Sequence, residues 1–226
     1  MTDSPQDRTA KWLVGDRLAC VLHLGDGALA YELVEQGHEV VVAGDDVTAS
    51  RHEDIQYVRT AGERLPFLSD AFDVVIAPEV REAPTALAEY ARVLRRDGLL
   101  STISQRYDHS IPWMRKLREI TGDRDAPPTP VDTFTASGLF HEPETHEFGT
   151  WEKLDLPGLM RFAEATKHPT VSEAALSQVR DLFMEYGAQT GFLRLRHETT
   201  CVRARVDKSS LSVDAEPPDT MLVDFR

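Results

Sequence analysis

Gly25-Asp26-Gly27 follows an apolar run, Ala19 to Leu24, and precedes a helix-forming stretch. Glycines at such a turn let backbone amides come close to a bound group, and the helix N-terminus behind them favours polar or anionic ligands. Asp45 and Asp46 follow a second apolar run, Glu39 to Ala43. Gly62-Glu63 and Pro78 come at the ends of two later segments. Arg106, Tyr107 and His109 follow a further apolar run, at the ligand edge of a sheet. The strand, glycine turn, helix and second strand read as the opening βαβ unit of a nucleotide-binding α/β domain. His23 sits near a strand end and reads as a hydrogen-bonded histidine. His141 and His146 are five apart with no cysteine or acidic ligand pattern, so no metal site is read there.

The elements that must position these residues alternate. Pro5 to Val14 reads as a short helix. Ala19–Leu24 is a strand buried on both faces, Ala28–Gln36 a helix ended by Gly37, and Glu39–Ala43 a second buried strand. Val47 to Asp54 leaves room for about two helical turns. Weak and strong strands follow at Ile55–Val58 and Phe72–Ala77. Thr85–Arg96 is an amphipathic helix, Asp97-Gly98 a turn and Leu99–Ser104 a fifth strand. Ile111–Ile120 is helical and Asp123 to Pro130 is loop. A strand at His146–Thr150, helices at Leu156–Thr166 and Ser172–Tyr186, and a strand at Leu193–Arg205 complete the pattern. Alternating strands and helices imply an α/β, Rossmann-like, doubly wound and mostly parallel sheet. Ligands of such sheets sit beyond the carboxyl ends of the strands. That edge carries Gly25–Ala28, Gly44–Asp46, Ala61–Glu63 and Pro78–Arg81.

The chain has 226 residues, 41% hydrophobic and 28% charged, which suits one soluble domain over residues 1–205. Residues 206–226 are polar, contain Pro217-Pro218 and are expected to form a disordered acidic tail. The net charge of −13 disfavours nucleic acid and anionic membranes as partners. No apolar run approaches the ~20 residues that span a bilayer. The polar N-terminus does not read as a secretory signal, and a cytoplasmic location is expected. Cys20 and Cys201 fall in strands and read as buried free thiols.

Several stretches carry a family resemblance: Ala10–Gly15, Val21-Leu-His-Leu-Gly-Asp-Gly27, Ala61–Ala77, Ala88–Leu100 and Asp155–Met160. They resemble the class I S-adenosylmethionine-dependent methyltransferases, closest to the methyltransferase-domain-11 type. The resemblance implies a seven-stranded sheet, S-adenosylmethionine as cofactor and a small-molecule methyl acceptor. It also implies cofactor contacts from Gly25, Asp26, Gly27, Asp45, Asp46, Gly62, Glu63 and Pro78, with Arg106, Tyr107 and His109 on the acceptor side. Rate comes mainly from in-line placement, and a base is needed only if the acceptor must lose a proton.

The chain departs from that pattern at the ligand edge. His23 stands where the family has an acid. The glycine turn runs into Ala28-Leu29 as though two loop residues were missing, so the helix is expected to start early. Gly44 stands at the family's ribose acid, with Asp45 and Asp46 just after it. Asp26 serves either the cofactor's amino group or the helix N-terminus, and Asp45 or Asp46 serves either the ribose or the crossover helix. A second reading therefore stays open: a protein of this fold that has lost the cofactor and works by binding a partner protein. A nicotinamide-dependent dehydrogenase would want a third glycine in Gly25-Asp-Gly-Ala-Leu-Ala30, which is absent.

Overall fold

The computed structural model describes residues 4–45, 52–60, 64–77, 84–122, 132–172 and 175–210. Helix α1 (Pro5–Val14) opens with a capping box in which the Ser4 hydroxyl accepts the Asp7 N–H and the Asp7 carboxylate accepts the Ser4 N–H. Strand β1 (Cys20–Leu24) is buried throughout, as is most of β2 (Glu39–Gly44). Burial on both faces is the reason these runs are continuously apolar. Helix α2 (Ala30–Glu35) joins them, and β3 (Ile55–Arg59), β4 (Phe72–Ala77), α3 (Pro84–Val93) and β5 (Leu94–Tyr107) follow. Then come α4 (Pro112–Thr121), α5 (Asp132–Ala136), β6 (Glu144–Leu154), α6 (Leu156–Thr166), α7 (Leu176–Tyr186) and β7 (Leu193–Arg205).

The seven strands form one sheet in the order β3-β2-β1-β4-β5-β7-β6. The β1–β2, β1–β4, β2–β3 and β4–β5 pairs are parallel. Strand β7 runs against β5: Val206 N–H donates to Gly98 O, and Asp108 N–H donates to Arg196 O. The expected mostly parallel, doubly wound sheet is what forms.

Several boundaries differ from the sequence reading. Helix α2 begins at Ala30 rather than Ala28, because Ala28 and Leu29 are spent in the turn. Helix α3 ends at Val93, and Leu94 already pairs with Phe72. The next matched pair is Val74 with Leu99, so the expected Asp97-Gly98 turn is an excursion within β5, with Asp97 at φ +65°. Strand β6 is eleven residues long, extending the expected His146–Thr150 at both ends. The short helix α5 was not expected.

The chain divides into two compact units. The first comprises residues 1–104, 128–146 and 200–226. Its core joins Leu22, Val41, Phe67, Phe72, Val75, Leu94, Leu100, Phe134 and Val202. Phe67 and Phe72 meet edge to face at 5.0 Å. Residues 206–210, expected in the tail, belong to this unit: Val206 is buried and bridges to Phe140, and Lys208–Ser210 forms a 3-10 turn. The tail expected over 211–226 lies outside the described residues. The second unit comprises residues 105–127 and 147–199. Helices α4, α6 and α7 bury Trp113, Met114, Leu117, Leu159, Val179 and Phe183 with Leu193 and Leu195 of β7. Trp113 is thus core, whereas Trp151 is 53% exposed.

Candidate active site

In the first unit, β1 and β2 end side by side, and the loop after β1 folds over the end of β2. Gly25 N–H donates to Ala43 O at 2.9 Å. Gly25 and Gly27 take φ of +93° and +74°, a region open to glycine and strained for other residues. A Cβ on Gly27 would stand 3.0 Å from the Val42 side chain. A Cβ on Gly44 would stand 2.8 Å from the Gly25 carbonyl oxygen. The glycine at position 44 and the tight turn are therefore one feature: the Gly25 carbonyl occupies the space a side chain at 44 needs. The next carboxylate along the chain is Asp45, at the same edge.

Asp26 is exposed, and its Oδ1 accepts the Ala28 N–H at 3.1 Å. This bond closes a local turn two residues before α2 and does not cap the helix. Ala30 N–H donates to Gly27 O at 2.9 Å, and Leu29 caps α2 without a side-chain hydrogen bond. Three amides of this turn are thus already answered, those of Ala28 and Ala30 within the loop and that of Gly25 by Ala43 of β2. His23 is buried in β1, with Nδ1 3.1 Å from Leu24 O. Burial pushes its pKa down, against the hydrogen bond to Leu24 and the Asp26 charge, so the ring is a neutral one satisfied by backbone.

The structure thus brings Gly25, Asp26, Gly27 and Asp45 to one edge. Asp46, Gly62, Glu63 and Pro78 lie outside the described residues. A cleft of about 830 Å³ opens elsewhere in this unit, at the amino-terminal edge, among Gly15, Arg17, Arg96, Gly98 and Arg205. It lies at the opposite edge of the parallel strands from these residues. Among the described residues no group of three or more His, Cys, Asp or Glu could hold a metal ion. No described helix is long and apolar enough to cross a membrane. Both cysteines are buried, and burial pushes their thiols up, Cys20 to about 11 and Cys201 to about 12. Neither is a nucleophile at neutral pH.

Arg106, Tyr107 and His109 belong to the second unit. Adjacent strand residues point to opposite faces, which separates the first two. Tyr107 packs edge-on against Phe162 at 4.8 Å and against His197 at 5.4 Å, so its ring is part of the helix-covered core. Arg106 and His109 are half-buried. A relay that sequence reasoning missed lies beside Tyr107. Gln105 Nε2 meets His197 Nδ1 at 2.9 Å, and His197 Nε2 meets Glu152 at 2.8 Å. Its members are 45 and 92 residues apart, and no local pattern marks them.

Residues 22–102, which hold the glycine turn and strands β2 to β4, match the family model of the methyltransferase domain. Over that segment the chain is similar to the methyltransferase domain. An uncharacterized methyltransferase of Mycobacterium tuberculosis is 29% identical over 211 residues, covering 85% of this chain and 86% of the relative. Among solved structures, one named as a type II methyltransferase of Anaeromyxobacter dehalogenans superposes with a TM-score of 0.64 at 18% identity. The match covers 88% of this chain and 95% of that one. The YcgJ protein of Bacillus subtilis gives 0.53 at 14% identity, over 89% and 97% of the two chains. These structural likenesses concern the fold, and agree with the seven-stranded order described above.

Proposed function

We propose that the protein transfers a methyl group from S-adenosylmethionine to a small molecule. The observation that carries this reading is the glycine turn closed against Gly44, with exposed Asp26 and Asp45 at the same edge, within the segment that matches the methyltransferase domain. The residues present suit the cofactor. Gly25 and Gly27 keep side chains out of the turn, Asp45 is one residue past the usual ribose position, and exposed Asp26 suits an amino group. Asp46, Gly62, Glu63 and Pro78 complete the expected set. When bound, the sulfonium supplies an already activated methyl group. The protein's part is to hold acceptor and donor in line, which can account for much of the rate.

Calorimetric titration of the purified protein with S-adenosylmethionine and S-adenosylhomocysteine tests this. Micromolar binding that weakens in Asp45→Asn is expected. Gly27 is a poor test position, since φ +74° and Val42 would strain the turn itself in any variant. A second reading, a partner-binding protein without methyl transfer, is favoured by one observation: the loop amides of Gly25, Ala28 and Ala30 already have acceptors. Absence of binding at millimolar cofactor would turn the assignment to that reading.

A further inference from the structure

The cleft at the amino-terminal edge of the first unit holds more positive charge than the fold consumes. Its volume, about 830 Å³, is in the range of small-molecule sites. Part of the charge along its walls is spent on the fold. Asp73 accepts the Cys20 N–H and receives Arg95. Glu144 receives Arg203, which also donates to Trp12 O and lies over the Trp12 ring. Asp16 stands 3.7 Å from Lys11. Three cations are left over. Arg17, Arg96 and Arg205 are exposed, line the cleft and form no ion pair among the described residues. Arg205 donates only to a carbonyl, Asp97 O at 3.3 Å. The chain has 38 acidic side chains against 25 lysines and arginines, so a shortage of carboxylates does not explain them.

The three arginines come from three anchored stretches of backbone. Arg17 follows Gly15, the C-cap of α1. Arg96 is on the β5 excursion that Gly98 closes, where a Cβ would stand 2.9 Å from Arg95 O and 3.1 Å from Asp73 O. Arg205 precedes buried Val206, whose N–H donates to Gly98 O. Two carboxylates of the lining, Asp97 and Glu142, are also without an ion pair among the described residues. Beside them a single negative charge gains little, whereas an anion with several charged oxygens can engage more than one guanidinium. Arginine forks match phosphate oxygens, and a cleft concentrates the field of its charges. Leu18, 76% exposed, adds an apolar surface to the same lining. We propose that this cleft binds a phosphate-bearing small molecule, at a site separate from the glycine turn on the other edge. The proposal does not depend on the methyl-transfer reading.

The test titrates the full chain with pyrophosphate by calorimetry at constant ionic strength, with sulfate as the anion of lower charge. Pyrophosphate is expected to bind at least about tenfold more tightly than sulfate, in keeping with additional charge-assisted hydrogen bonds. Arg17→Gln and Arg96→Gln break no hydrogen bond of the fold, and each is expected to weaken pyrophosphate about tenfold. Glu142→Gln, which removes a repelling charge, is expected to tighten it. Melting curves confirm that each variant folds. Phenyl phosphate and inorganic phosphate separate the two sources of the group. Tighter binding of the ester, lost in Leu18→Ser, assigns an organic phosphate, and equal binding assigns an inorganic one. Equal affinity for pyrophosphate and sulfate, or a pyrophosphate affinity unchanged in both arginine variants, overturns the proposal. S-adenosylhomocysteine affinity is expected to be the same in the arginine variants as in the wild type, and a parallel loss overturns the separateness of the two sites. Pyrophosphate binding in a chain that takes no S-adenosylhomocysteine leaves this site standing and removes methyl transfer.

Discussion

At the amino-terminal edge of the parallel strands in the first unit, side chains hold backbone. Asp73 accepts the Cys20 N–H at 2.8 Å and receives Arg95 at 2.8 Å through both oxygens. His38 Nδ1 accepts the Ala19 N–H at 3.2 Å. Arg92 donates to Phe67 O, Leu65 O and Glu89, and Glu89 accepts the Leu65 N–H. At the carboxyl-terminal edge the same strands end in Gly25, Gly27 and Gly44, and backbone holds backbone. One edge spends its polar side chains on the fold. The other keeps Asp26 and Asp45 at the surface, where they can meet a ligand. Substitutions at the first edge should therefore lower stability, and substitutions at the second should lower binding.

The sharpest break is at Arg92, which is 9% exposed. Arg92→Met strips Glu89 of its partner and leaves two carbonyls unanswered. Breaking a buried pair in this way costs about 3–5 kcal/mol, read as a fall in the denaturation midpoint with cofactor affinity retained in the folded fraction. Next is the chain end. Truncation after residue 205 removes buried Val206, its N–H bond to Gly98, the Asp207 bond to Leu139 and the Lys208–Asp70 pair. Compared with truncation after residue 210, it should lose about 2–3 kcal/mol, mainly the burial of the valine. Asp73→Ala should cost about 1–3 kcal/mol by orphaning the buried Cys20 N–H. The exposed Arg95 pair adds little to that figure. Equal stability of wild type and Asp73→Ala would remove the contrast between the two edges.

Much of this fold was legible because burial writes itself into runs of residues. Strands β1, β2 and β4 are buried on both faces, and their apolar runs gave their positions. Helix ends were less legible. Ala28 and Leu29 are good helix formers, yet the turn consumes them because Asp26 captures the Ala28 N–H. Leu94 reads as the last turn of a helix but pairs with Phe72, since tertiary pairing outweighs local preference. At the site, Gly44 looked like a lost acid. Only the 2.8 Å approach of the Gly25 carbonyl shows that the short loop and the missing carboxylate depend on each other. The Gln105–His197–Glu152 relay was beyond sequence reasoning, because it depends on β5, β6 and β7 lying side by side.

Acid should loosen the amino-terminal edge before it affects the glycine turn. Burial lowers the pKa of His38 from 6.5, and its Nδ1 must stay unprotonated to accept the Ala19 N–H. The unfolded chain then takes up the proton first, so stability is complete above 6.5 and falls as pH drops below it. Burial alone would raise the Glu89 carboxyl, but the bonds from Arg92 and the Leu65 N–H outweigh it and hold it below 4.5. Its contribution is present above 4.5 and is lost as pH falls further. In denaturant titrations across this range, His38→Gln should remove the first decline and leave the second. An unchanged profile would mean that another group, the buried His23 above all, sets the first decline.

The smallest stability change should come from Asp45→Asn. Asp45 is exposed, so the cost should stay within about 0.5 kcal/mol, as for other surface sites. Binding should respond differently. A carboxylate that accepts two ribose hydroxyls gives charge-assisted bonds, and its amide replacement can accept through one oxygen only. S-adenosylhomocysteine affinity should fall about tenfold or more, the equivalent of about 1.4 kcal/mol. Gly44→Asp should not rescue it, because the Gly25 carbonyl stands where the new Cβ must go. If Gly44→Asp instead restored affinity in the Asp45→Asn background, the loop would have to move on binding. The carboxyl-terminal edge would then be shaped by its ligand rather than by its glycines.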